Sequence, residues 1–172
     1  CTIKALNQLL GLNIDKETMY KYALDIGSDV PFFIDGGMKF IKGRGEIIEK
    51  IKNHDYFKDL YFLIVCPEFS ISTQWAYGKL KKALKCNDKH HKFPPLDERL
   101  NWKLFENDFE VVVKAAYPEI TDIKNLMYNN GALYAGLSGT GSTVFGIYNE
   151  EKFILNTQNK LTHYKTYRAS PT

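Results

Sequence analysis

Three short stretches of this chain hold residues whose types and spacing suit chemistry. In "IGSDVPFF", residues 26–33, one carboxylate, Asp29, stands between a helix-ending Gly27 and Pro31. Val30 precedes proline and is expected to be extended, so the backbone bends at Asp29 and its side chain can project into a cleft. An acidic residue after a helix stop can also cap the next turn, and local pattern alone favours that structural account. In "GLSGTGSTVFG", residues 136–146, Gly139 and Gly141 can turn backbone N–H groups toward an anion or admit a ligand closely. A tight hairpin turn needing positive φ explains the same glycines. Thr73 and Tyr77 are four residues apart on a predicted helix, so a hydroxyl and a ring can meet one ligand. Ala76, Leu80 and Leu84 continue that face, and core packing is the local alternative.

Other chemistries find little support. His90 and His91 lie in a Lys-rich segment with only Asp88 and Asp97 as further ligands, too few for a metal centre, so no metal site is expected. The patterns G-x-x-x-x-G-K-[ST], H-E-x-x-H and G-x-S-x-G do not occur, which disfavours P-loop, zincin and α/β-hydrolase chemistry.

The elements that must position these residues follow from periodicity. A helix is expected from Thr2, with Ile3, Leu6, Leu9 and Leu10 on one face, and a second from about Lys16, N-capped by Asp15. Met19, Tyr22, Ala23 and Ile26 form its stripe, and Gly27 is its expected left-handed stop. "GGMKFIKGRGEIIEKI" predicts a hairpin turning at Gly-Arg-Gly, and "LYFLIVCP" a buried strand closed by Pro67. Helices are predicted over about 72–84 and 107–116, then from Pro118 to a Gly131 stop. Residues 85–99 read as a loop. Two strands, "ALYAGLSG" and "STVFGIY", flank the glycine-rich turn, followed by a helix near 150–159 and a strand near 163–168. Hairpin-like neighbours instead of strict βαβ alternation place the chain in the α+β class.

Composition sets the frame. With 172 residues and 44% hydrophobic content, the chain suffices for one ordinary domain, or a small domain plus part of another. Its longest apolar runs fall far short of the roughly 20 residues a membrane span needs, and no signal pattern opens it, so a cytoplasmic protein is expected. Cys1, Cys66 and Cys86 are odd in number, widely spaced and expected to be free thiols. A net charge of +3 is too mild for a nucleic-acid footprint but suits an anionic small substrate. A non-enzymatic ligand- or RNA-binding module is the competing class; the chain has aromatic residues for it, but no RNP-like motif or dense basic stripe.

The stretches gain meaning together. "ALNQLLGL", "LDIGSDVPFFIDGG", "KGRGE", "CPEFSISTQWAY", "NDFE" and "LSGTGSTVFG", in this order, resemble the 4-diphosphocytidyl-2-C-methyl-D-erythritol kinase family of the GHMP kinase superfamily. The resemblance runs from about Ala5 to Tyr148. It implies transfer of the γ-phosphoryl of ATP to a hydroxyl of the methylerythritol moiety, in non-mevalonate isoprenoid precursor synthesis, with Mg²⁺ accompanying ATP. It also implies a fold of two α+β domains with the active site in their cleft: residues 1–42 would complete the N-terminal domain, and residues 43–172 would form a C-terminal domain with a mainly antiparallel sheet flanked by helices. Another GHMP kinase, of homoserine or mevalonate type, is the alternative.

Site residues carry over one by one. The aspartate of the family's "GSDVP" motif is its catalytic base, and that position is Asp29. "STQWAY" resembles the stretch lining the diphosphocytidyl pocket, which makes Thr73 a polar contact and Tyr77 a stacking surface for cytosine. Gly139, Thr140, Gly141 and Ser142 resemble the family's third motif, which helps shape the active site around the phosphorylated groups. The superfamily's ATP cradle and the lysine that accompanies the aspartate find no match in this chain. The cradle is expected immediately upstream of Cys1, so the chain is expected to be about the C-terminal three-fifths of the kinase and inactive alone.

Overall fold

The computed structural model describes residues 2–37, 39–42, 47–50, 55–84, 101–102 and 105–171, in two compact units, Cys1–His54 and Asp55–Thr172. The first contains helices α1 (Thr2–Leu9), α2 (Lys16–Ile26) and α3 (Phe32–Asp35), and an antiparallel hairpin of β1 (Lys39–Lys42) with β2 (Ile47–Lys50). The hairpin's expected turn at 43–45 lies outside the described residues.

Asp15 caps α2 as its side chain predicts: Oδ1 accepts the Thr18 N–H at 2.9 Å and Oδ2 the Thr18 hydroxyl at 3.1 Å. The Thr18 bonds hold its carboxyl below the ordinary value. Asn7 fixes the α1–α2 connection from both sides, donating to the Ile14 carbonyl and accepting the Ile14 N–H, each at 3.0 Å. Gly27 ends α2 as expected, and its N–H reaches the Ala23 carbonyl at 3.1 Å. Its φ of 170° is extended instead of left-handed, so the chain leaves the helix straight into the next turn. The predicted apolar stripes of this unit are only partly covered. Ala23 is buried, whereas α1 buries no residue and Leu9 is 80% exposed.

Asp35 gathers the charges of this unit. Lys16 Nζ lies 2.5 Å and Lys39 Nζ 3.6 Å from its oxygens, and the Tyr20 hydroxyl donates to it at 2.8 Å. The Lys16 bond, reinforced by Tyr20, pulls its carboxyl down to about 2. Burial, then the Asp35 bond, pushes Tyr20 up to about 12.

The second unit contains α4 (Asp55–Lys58), β3 (Tyr61–Cys66), α5 (Thr73–Leu84), α6 (Glu110–Ala116), α7 (Pro118–Asn129), β4 (Tyr134–Leu137), β5 (Val144–Tyr148), α8 (Glu151–Lys160) and β6 (Lys165–Ala169). Its sheet has the order β4-β5-β3-β6 with every pair antiparallel, which bears out the α+β class. Period-2 alternation turns Leu63, Val65, Ala135, Leu137, Val144 and Tyr148 toward the helices. There they meet Ala76 of α5, Val113 of α6, Ile120, Ile123 and Met127 of α7 and Ile154 of α8. Truncating a fully buried side chain such as Leu63 to alanine costs roughly 2–5 kcal/mol.

On the opposite face the rings of Tyr134 and Phe145 lie 5.7 Å apart, and Trp102 lies 6.1 Å from Tyr134. Pro118 at the start of α7 and Gly131 just past its end sit where the sequence puts them. Helix α6 begins at Glu110, three residues later than periodicity suggests, because Asn107 serves as its lead-in. Cys66 is a free thiol. His90, His91, Asp88, Asp97, Cys1, Cys86 and the predicted 85–99 loop lie outside the described residues. No helix among the described residues is long and apolar enough to cross a membrane.

Candidate active site

Asp29 is the third residue of a turn closed by the Val30 N–H on the Gly27 carbonyl at 3.1 Å. A second turn follows at once, with the Phe33 N–H on the Val30 carbonyl at 3.1 Å and Pro31, φ −56°, at the position its ring suits. The two turns produce the bend predicted from "GSDVP". Helix α3 carries no side-chain cap, so the capping role open to Asp29 is not taken up. Its carboxylate is exposed and, among the described residues, enters no hydrogen bond or ion pair.

In the second unit, three sequence-distant segments meet. Ser72 starts α5, its Oγ accepting the Trp75 N–H at 3.3 Å. The stripe predicted on α5 then divides: Ala76 and Leu80 enter the core, while Thr73 and Tyr77 are exposed, Tyr77 by 59%. Core packing therefore does not account for those two. Thr73 Oγ1 lies 3.4 Å from Thr140 Oγ1 at the tip of the glycine-rich turn, and the Tyr77 ring stands edge-on to Phe109 at 4.9 Å and 78°.

The turn between β4 and β5 is closed by the Ser138 N–H on the Thr143 carbonyl and the Gly141 N–H on the Ser138 carbonyl, both 2.9 Å. Gly139 at φ +55° and Gly141 at φ +90° take the positive φ that a hairpin turn demands. A Cβ on Gly139 would meet nothing within 4 Å, whereas one on Gly141 would lie 2.9 Å from Ile71 Cδ1 and 3.0 Å from Leu137 Cδ1. Gly139 thus leaves space above the tip and Gly141 permits close packing beneath it. The Ser142 hydroxyl donates to the Phe69 carbonyl at 2.5 Å, so its proton is committed to the protein.

Two residues beyond the sequence-derived set hold this turn. Asn107 Nδ2 donates to the carbonyls of Leu137 at 2.8 Å and Gly139 at 2.9 Å, and Glu110 Oε1 accepts the Leu137 N–H at 2.9 Å. The only signal for them was the "NDFE" segment just ahead of a helix.

The tip presents the Gly139 and Thr140 N–H groups, which donate to no carbonyl among the described residues, beside two threonine hydroxyls and an exposed ring. Backbone N–H and hydroxyl donors suit anionic oxygens, and the ring suits a planar base. No group of three or more His, Cys, Asp or Glu able to hold a metal ion occurs among the described residues.

Residues 90–161 match the family model described as GHMP kinases C terminal. The 4-diphosphocytidyl-2-C-methyl-D-erythritol kinase of Thermodesulfovibrio yellowstonii is 35% identical over 179 residues, covering 96% of this chain. The chain belongs to the GHMP kinase superfamily. It spans 59% of that relative's length. Among solved structures, a 4-(cytidine 5'-diphospho)-2C-methyl-D-erythritol kinase superposes with a TM-score of 0.69 at 20% identity, over 95% of this chain and 59% of that one. A mevalonate kinase gives 0.71 at 17% identity, over 99% and 61%. These two likenesses establish the GHMP fold, and being near equal they do not choose a substrate.

Proposed function

We propose that this chain is the C-terminal part of a small-molecule kinase that transfers the γ-phosphoryl of ATP to a hydroxyl of 4-diphosphocytidyl-2-C-methyl-D-erythritol. The substrate rests on the 35% identity, over nearly all of this chain, to the 4-diphosphocytidyl-2-C-methyl-D-erythritol kinase of Thermodesulfovibrio yellowstonii. The observation that carries the chemistry is the Asp29 carboxylate, exposed and committed to no other group among the described residues.

In the reaction, the substrate hydroxyl oxygen forms a bond to the γ-phosphorus, the bond from that phosphorus to the ADP oxygen breaks, and ADP leaves. Asp29 accepts the hydroxyl proton. Acid–base assistance of this kind is worth roughly 10²–10⁴-fold, about 3–5 kcal/mol in the barrier. Because phosphoryl-transfer transition states are loose in most analyses, part of that contribution is orientation of the attacking oxygen. Thr73, Thr140 and the tip N–H groups take the substrate's anionic oxygens, and Tyr77 takes its cytosine ring. Gly141 and Ser142 contribute by shaping the turn.

ATP with Mg²⁺ is the pair that the superfamily resemblance implies. No residue of this chain is assigned to the metal. The division into a superfamily N-terminal domain over 1–42 and a C-terminal domain over 43–172, and a cytoplasmic setting, belong to the same proposal. ADP release by the full protein with a panel of 4-diphosphocytidyl-2-C-methyl-D-erythritol, mevalonate and homoserine tests it. Preferential turnover of the cytidine-bearing alcohol is expected, and preference for either of the others overturns the substrate.

A further inference from the structure

Strand β4 lies at the edge of its sheet, so the backbone groups on its outer side have no neighbouring strand. Side chains cover them instead. The Tyr128 hydroxyl donates to the Ala135 carbonyl at 3.1 Å, Glu110 Oε1 accepts the Leu137 N–H, and Asn107 Nδ2 bridges the Leu137 and Gly139 carbonyls. Residues 135, 137 and 139 alternate along one side, so the three side chains extend the ladder past the end of the strand and onto the first tip residue of the turn.

Asn107 also acts in the other direction. Its Oδ1 accepts the Phe109 N–H at 2.9 Å, and the Phe109 ring is the one against which Tyr77 stands. The amide's orientation follows from its partners: two carbonyls can only accept, and the N–H can only donate. One side chain thus sets both the start of the turn and the segment that supports Tyr77. Glu110 is itself held, its Oε2 pairing with Lys124 Nζ on α7.

We infer that Asn107, seconded by Glu110, is a positioning residue that fixes the Gly139–Thr140 tip and the Tyr77 ring in the register that binds the cytidine-diphospho alcohol. The inference rests on the proposed function for its ligand, and on the hydrogen bonds alone for the clamp. Asn107→Asp keeps the acceptor for Phe109 but sets a carboxylate oxygen against two carbonyls. Glu110→Gln keeps an acceptor for Leu137, and Glu110→Ala removes it.

The test is steady-state kinetics on the full protein together with amide hydrogen exchange. N107D is expected to raise KM for the cytidine-diphospho alcohol at least tenfold and leave KM for ATP within about twofold. It is also expected to speed exchange of the Ser138 and Gly141 amides while those of β3 stay protected, and E110A is expected to raise KM more than E110Q. A role in folding alone would reduce the active fraction, lowering kcat at constant KM, and that result overturns the inference. Unaltered exchange at Ser138 and Gly141 overturns it too. Should N107D not fold, Asn107→Ser, which loses at least one of the two donors, carries the same expectations. Wild-type protein that turns over no cytidine-diphospho alcohol overturns the proposed function and the ligand named here, while the exchange data still decide the clamp.

Discussion

Thr73 Oγ1 and Thr140 Oγ1 lie 3.4 Å apart, across 67 residues of sequence, one on the first turn of α5 and the other at the tip of the β4–β5 turn. Two exposed hydroxyls this close share one small volume of solvent, so a single anionic group can meet both. Thr73→Val keeps the shape and removes the hydroxyl. A lost hydrogen bond of about 0.5–1.5 kcal/mol corresponds to a KM for the cytidine-bearing substrate raised roughly 2- to 12-fold, with KM for ATP unchanged. Kinetics on the full protein check this, and equal effects on both constants would remove Thr73 from the substrate contacts.

Tyr77 presents its ring to solvent and takes its support from Phe109. Stacking of a base on an aromatic side chain is worth about 1–3 kcal/mol. Tyr77→Ala is accordingly expected to weaken binding of cytidine diphosphate at least about fivefold, and Tyr77→Phe to retain most of it, by titration calorimetry on the full protein. If the Phe variant loses as much as the Ala variant, the hydroxyl and not the ring makes the contact.

For Asp29, exposure and the absence of partners among the described residues separate activity from stability. Asp29→Asn is expected to lower turnover at least about a hundredfold while the unfolding free energy moves by less than about 0.5 kcal/mol. The capping alternative reverses the pattern, with activity kept and stability reduced. Paired activity assays and chemical denaturation distinguish them.

Two glycines of one turn are expected to respond differently to alanine. At Gly139, φ +55° with open space where a methyl would stand costs only the left-handed backbone, about 1–2 kcal/mol. At Gly141 the methyl also meets Ile71 and Leu137 at 2.9 and 3.0 Å, which adds about 1–3 kcal/mol of overpacking. Urea midpoints of the two variants should differ in that order, and equal midpoints would mean that the core beneath the turn yields freely.

Much of this architecture was legible because its signals are local. Pro118 and Gly131 bracket α7, Asp15 caps α2, and the unbroken apolar run "YFLIV", closed by Pro67, marks β3. What was not legible depends on distant partners. Asn107 and Glu110 act on Leu137 and Gly139, some thirty residues downstream, and nothing in "NDFE" says which backbone it will meet. The stripe on α5 repeats correctly from Thr73 to Leu80, yet only the packed structure tells that its Thr73 and Tyr77 edge stays in solvent. Gly27 was expected in the left-handed region, and the requirement that the chain enter the Asp29 turn directly puts it in the extended region instead.

Asp35 gives the first unit a pH dependence with a definite sign. Its carboxyl titrates at about 2 in the folded chain against an ordinary 3.8, chiefly through Lys16 and then Tyr20, so the folded state favours the charged form. That stabilisation is fully present above the ordinary value and is lost as pH falls through about 2. Since the pair with Lys16 is partly exposed, its worth is discounted to roughly 0.2–1 kcal/mol. Asp35→Asn should lower the stability of the first unit by that amount at pH 7, and the gap to wild type should close between pH about 4 and about 2. Hydrogen exchange of α2 amides in both proteins across this range measures it. A gap of equal size at every pH would mean that Asp35 acts through shape and neutral hydrogen bonds, and that its charge contributes nothing to holding α2 against α3.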